Sequence, residues 1–205
     1  MKKIFAYIRF IPIYIFNFIY SKNVRLHEDV DRWYKDDTLS FNKKLLLLLY
    51  QYKEFRNLFI YRNRYPNAHR LFCYWIKFWY PPEKTLYIEC PDIGGGFYIQ
   101  HGFATYISAK KIGKNCSVNQ QVTIGYNSGL DCPTLGNNVM VTCGSKVLGG
   151  IVIGDNTRIG ANAVVIRDYK RGHGLLVGVP AIPKKEASKE LLLSLGIKID
   201  ESLFD

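Results

Sequence analysis

Between Leu135 and Ile166 an aliphatic residue returns at every sixth position, in the pairs Leu135-Gly136, Val141-Thr142, Val147-Leu148, Ile153-Gly154, Ile159-Gly160 and Val165-Ile166. Upstream, Ile112-Gly113, Val118-Asn119 and Ile124-Gly125 keep the step. Ile93-Gly94 and Ile99-Gln100 keep it too, with a seven-residue step from Thr105 to Ile112. A small or β-branched residue recurs four places after the aliphatic one, at Cys116, Val122, Val139, Ser145, Ile151, Thr157 and Ala163. Neither the 3.6-residue helix period nor hairpin alternation produces this pattern. A six-residue repeat is the signature of a parallel β-helix. Each short strand contributes one aliphatic residue to an internal stack, and Gly or Asn takes the corner. Three units close one triangular coil, and coils stack at the strand spacing of roughly 4.8 Å.

The repeats occupy only part of the 205 residues. Aromatics make up 15 % of the chain and crowd into its first 100 residues or so. The region 1–85 reads mainly as helices. Asp37 or Ser40 is placed to cap one helix through NKKLLLLLYQYKEFRNLFIYRNR. Pro66 and Asn67 break the pattern, HRLFCYWIKFWY resumes it, and Pro81-Pro82 ends it. The expected organisation is a helical region at 1–85, a β-helix at 86–185 and a helical tail at 186–205, with the helical segments capping the open ends of the coil.

The formal charge of +11 favours anionic partners. Arg56, Arg62, Arg64, Arg70, Lys77 and Lys84 supply much of the excess in or near aromatic clusters, but no nucleic-acid-binding module is recognisable, and none is expected as a partner. The five cysteines show no CxxC pairing and an odd count, which reads as reduced thiols in a cytoplasmic protein. The opening MKKIFAYIRFIPIYIFNFIY is interrupted by Arg9, Pro12 and Asn17 and falls short of the roughly 20 apolar residues of a bilayer span. It is read as a packed helix, with peripheral contact at the inner membrane face as the alternative for residues 4–20.

The stretch IGGGFYIQHG–KKIGKNCSVNQQVTIG–LGNNVMVTCGSKVLGGIVIGDNTRIGANAVVIRDY–GVPA resembles the hexapeptide-repeat acyltransferase superfamily. Within it, the chain is most similar to serine acetyltransferases and to O-acetyltransferases of surface-polysaccharide synthesis. The resemblance covers roughly residues 86–185. It implies a left-handed parallel β-helix, a homotrimer or dimer of trimers, an active site between subunits, and acetyl-CoA lying along the coils as co-substrate.

Acetyl transfer to a hydroxyl needs a base, and a neutral imidazole serves near pH 7. The thioester is already activated, so no metal is expected. Of His27, His69, His101 and His173, His101 is read as the one inside the repeats, where the resemblance implies the catalytic base. A carboxylate partner would orient the ring. In YIECPDIGGG, which looks about three residues shorter than the family's pattern, Glu89 is preferred over Asp92.

The resemblance implies an acceptor loop in YNSGLDCPT, where the register carries five additional residues between Gly125 and Leu135. Serine acetyltransferases carry an Arg-His pair here and an Asp before the histidine, whereas this chain has Asp131-Cys132 and Gln100. Without a cation for an amino-acid carboxylate, Gln100, Asn127 and Asp131 are expected to meet a neutral sugar hydroxyl of a cell-surface polysaccharide precursor. The matching cofactor positions are Tyr126, Cys143 and Ala161 beside the pantetheine arm, with Lys184 and Lys185 toward the nucleotide phosphates and Lys170 and Arg171 as further candidates. The alternatives are a serine O-acetyltransferase of cysteine biosynthesis and a non-catalytic β-helix scaffold. A zinc-dependent carbonic anhydrase, needing three histidine ligands, is remote.

Overall fold

Stacked in register, the aliphatic columns close a parallel β-helix with three faces. The computed structural model describes residues 23–63 and 68–184. The apolar N-terminal stretch, Lys185 and the expected tail helix lie outside these residues. The first face stacks β1 (Leu86–Ile88), β3 (Thr105–Ile107), β6 (Thr123–Gly125), β9 (Lys146–Leu148) and β12 (Val164–Val165). The second stacks β4 (Lys111–Ile112), β7 (Thr134–Leu135) and β10 (Val152–Ile153). The third stacks β2 (Tyr98–Ile99), β5 (Ser117–Val118), β8 (Met140–Val141), β11 (Thr157–Ile159) and β13 (Gly174–Gly178). An antiparallel strand, β14 (Ala181–Pro183), closes this last face.

Inside, Ile107, Ile124, Val147 and Val165 stack on one face, and Ile99, Val118, Val141, Ile159 and Leu176 on another, all buried. Each buried aliphatic contributes about 1.5–3 kcal/mol by leaving water. The glycine after the aliphatic residue has a steric cause at Gly113, where a Cβ would lie 2.4 Å from the Gly136 carbonyl oxygen of the next coil. A corner column of left-handed residues runs through Gly96, Asn115, Asn138, Asn156 and His173. Asn138 Nδ2 donates to Asn156 Oδ1 at 2.9 Å, and the Asn156 amide reaches the His173 ring at 3.3 Å.

Thr105 does not hold an aliphatic position: Ile107 pairs with Ile124, and Thr105 takes the small-residue position beside it. The step from Ile99 to Ile107 is therefore eight residues, where Val118 to Ile124, Val141 to Val147 and Ile159 to Val165 each take six. The lengthened corner is the one that carries His101.

The chain forms two compact units, Met1–Lys84 and Thr85–Asp205. The first unit contains α1 (Val24–Trp33), α2 (Phe41–Gln51), α3 (Lys53–Arg62) and α4 (Ala68–Trp79). The single helix expected across α2 and α3 is broken at Tyr52, which is extended (φ −116°, ψ 115°). The buried Arg56 guanidinium takes the freed carbonyls of Leu49 and Tyr50 at 2.7 Å each, and that of Pro81 at 2.8 Å. Such capping satisfies the orphan acceptors of a helix end. Arg62 is likewise engaged, meeting the buried Asp29 carboxylate at 2.7 and 3.1 Å. Neither arginine is a free cation for an anionic partner, contrary to the charge reading. Among the described residues no helix is long and apolar enough to cross a membrane.

Candidate active site

The extra length at the third-to-first-face corner gives His101 its setting. Its backbone is left-handed (φ 53°), as is that of Ala104 (φ 50°), whereas the equivalent corners of later coils need only Gln121, Gly144 or Asn162 in that region. A non-glycine residue there is uncommon and held by its surroundings. The Phe103 N–H donates to the His101 carbonyl at 2.6 Å, tightening the turn. The side chain is exposed, and among the described residues its ring makes no hydrogen bond.

The other histidines stand differently. His27 stacks on Phe41 at 3.7 Å in the helical unit. His173, read from the sequence as outside the repeats, lies in the last coil and ends the asparagine column. The β-helix extends to β13, so the fading of the aliphatic pattern after Val165 had hidden that coil.

Gln100, beside His101, accepts a 3.4 Å contact from the Asn119 amide on the next coil. The carboxylates are occupied elsewhere. Glu89 accepts a short hydrogen bond from the Tyr106 hydroxyl, which holds the Tyr106 phenol above its ordinary range. Asp92 stands 3.9 Å from the Lys111 ammonium. Neither carboxylate is hydrogen-bonded to the His101 ring.

The loop from Tyr126 to Cys132 projects from the corner after β6, with Tyr126, Asn127 and Asp131 exposed. Its base rests on two glycines. A Cβ at Gly150 would lie 2.8 Å from the Asp131 Cβ, and one at Gly149 3.4 Å from the Asn127 Cβ. Cys143 is half-buried and Ala161 exposed, one coil apart in the column that follows Thr142 and Gly160. Lys184 is exposed after β14, while Lys170 is paired with Asp168 at 2.9 Å. Among the described residues no three His, Cys, Asp or Glu side chains are grouped to hold a metal ion.

Sequence reasoning missed Tyr106 and Gln120. Tyr106 falls on the outward position of β3, aligned between Tyr87 and Thr123. Gln120 lies one coil beyond His101. Counting one coil from His101 would have found it, had the eight-residue corner been known.

Residues 133–167 match the model of the bacterial transferase hexapeptide family (six repeats). A serine acetyltransferase from Helicobacter pylori strain J99 is 32 % identical over 168 residues, covering 72 % of this chain and 90 % of its own. One from Synechococcus elongatus is 46 % identical over 92 residues, and there the match spans only 37 % of the relative. Among solved structures, the Neisseria gonorrhoeae serine acetyltransferase in complex with serine superposes with a TM-score of 0.58 at 26 % identity, covering 78 % of this chain and 67 % of that one.

Proposed function

The chain belongs to the serine acetyltransferase family of hexapeptide-repeat acyltransferases, and from that premise we propose that it moves an acetyl group from acetyl-CoA to the hydroxyl of L-serine. The observation that carries the reaction class is His101, an exposed imidazole without an internal hydrogen bond at the lengthened corner between β2 and β3. His101 removes the hydroxyl proton as the oxygen attacks the thioester carbonyl. The tetrahedral species then collapses, and the proton passes to the departing thiolate of coenzyme A. Cys143 and Ala161 leave room for a thin pantetheine arm, Tyr126 borders it, and Lys184 and Lys185 meet phosphates. Glu89 and Asp92, held by the Tyr106 hydroxyl and the Lys111 ammonium, are not assigned as partners of the imidazole. Assembly as a trimer or dimer of trimers would bring a second subunit to this corner.

A second reading, a neutral sugar hydroxyl as acceptor, is favoured by one observation: the loop from Tyr126 to Pro133 contains no basic residue, and Gln100 precedes His101. A serine carboxylate would find no arginine or lysine in this loop to pair with.

Release of free thiol from acetyl-CoA, with L-serine and a panel of nucleotide sugars offered in turn, separates the two. Turnover with serine, reduced about 10²–10⁴-fold in His101→Ala, supports the main reading. Turnover with a sugar alone moves the acceptor to the second. Full activity in His101→Ala refutes the base, and no binding of acetyl-CoA refutes the reaction class.

A further inference from the structure

A neutral imidazole acting as base turns its lone pair to the substrate, so the N–H on its other ring nitrogen needs an acceptor. Resting on the reading of His101 as base, that acceptor must come from a group beside the lengthened corner. Glu89 is engaged by Tyr106 and Asp92 faces Lys111. On the neighbouring coil, however, the Gln120 Oε1 atom is buried and accepts no hydrogen bond. Buried acceptors without a donor are rare, and each calls for an explanation.

The backbone register brings Gln120 alongside the segment that carries the base. Ile99 pairs with Val118, the Gln100 N–H donates to the Val118 carbonyl at 2.9 Å, and the Asn119 amide reaches Gln100. Beyond the corner, the Gln121 N–H donates to the Phe103 carbonyl at 3.0 Å. Gln120 is thus bracketed on both sides beside the His101–Gly102 segment, one coil spacing away, roughly 4.8 Å. Its own backbone is held from the next coil by the Gly144 N–H at 3.0 Å.

We infer that Gln120 is the positioning residue for His101, its side-chain carbonyl accepting the ring N–H and fixing which nitrogen faces the acceptor hydroxyl. An amide orients the ring without adding charge, as a carboxylate would. The neighbours Gln100, Asn119 and Gln121 are also uncharged, and the titratable groups nearest this column are the Cys143 thiol one coil further and the Lys146 ammonium, which donates to the Gln121 carbonyl at 2.8 Å. The site then uses a neutral acceptor where the resemblance implied a carboxylate.

The test follows the His101 ring by NMR in the full-length protein, with His101→Ala assigning the signal. Gln120→Glu, close in shape, places a carboxylate beside the ring, and a nearby opposite charge favours the imidazolium. The midpoint of the His101 titration is expected to move to higher pH, and the acid limb of kcat/KM with it. Gln120→Leu removes the acceptor; the single tautomer of the wild type becomes a mixture, and kcat falls about tenfold or more, within the roughly hundredfold that misplacing a catalytic group costs, at unchanged KM for acetyl-CoA. A titration and tautomer identical to wild type in Gln120→Glu, at equal melting temperature, overturns the inference. If Gln120→Leu does not fold, Gln120→Glu decides alone. The NMR readouts need no acceptor, so they distinguish failure of this pairing from failure of the proposed reaction, which full activity in His101→Ala would reveal.

Discussion

Replacing Gly150 with alanine tests whether the loop over the β9–β10 corner forms the acceptor site. The added Cβ would stand 2.8 Å from the Asp131 Cβ and 3.4 Å from its Cγ. Carbon atoms rest about 3.5–4.0 Å apart, so the loop must retreat by about 1 Å. Gly150 does not have the left-handed backbone of Gly149 (φ 90°), so alanine there meets a steric obstacle and not a conformational one. A misplacement of about 1 Å can cost on the order of a hundredfold in rate, or roughly 2.7 kcal/mol of transition-state stabilisation. Steady-state thiol release should show kcat/KM for the acceptor falling toward that limit, with KM for acetyl-CoA and the melting temperature close to wild type. Gly129→Ala is the control, because a Cβ there meets nothing within 4 Å, and it should behave as wild type. Unchanged acceptor kinetics in Gly150→Ala would refute the assignment of Asn127 and Asp131 to the acceptor site.

Asp29→Ala removes both contacts that this carboxylate makes to the buried Arg62 guanidinium; urea denaturation of the chain should lose about 3–5 kcal/mol. The Tyr106 phenol is held above its ordinary value first by its hydrogen bond to Glu89. A folded-state value above the unfolded one, about 10, means a contribution present below that pH and lost as pH rises through the folded value. Denaturation curves from about pH 8 to about pH 11 should therefore bring wild type toward Tyr106→Phe at the alkaline end, and a constant gap between them would argue against the contact. Burial pushes the Cys90 thiol up, and Cys73 and Cys116 are also buried. Alkylation of the native protein should reach Cys132 and Cys143 first, and acetyl-CoA should slow labelling of Cys143 but not of Cys132. Equal protection of both would remove Cys143 from the pantetheine path.

The six-residue period was sufficient to read the coil, because each unit must place one aliphatic residue in a column with a fixed step, and a slip would turn it to solvent. The same period could not reveal where the step changes. Thr105 looked like a column member until the pairing of Ile107 with Ile124 showed the lengthened corner. His101 could be singled out as the candidate base because its resemblance to the family lies in local sequence. The polar groups of the other coils could not be: the Tyr106–Glu89 pair and the buried Gln120 carbonyl oxygen depend on a register that the lengthened corner and the Tyr126–Cys132 loop both shift. In the helical unit, composition suggested free basic charge, yet Arg56 caps α2 and Arg62 neutralises Asp29. Sequence by itself determined the repeating core, since one-dimensional periodicity is enough to specify a stack of identical coils. Only the tertiary structure decided which polar groups meet, because hydrogen bonds between coils join residues some twenty positions apart, at distances that no local pattern encodes.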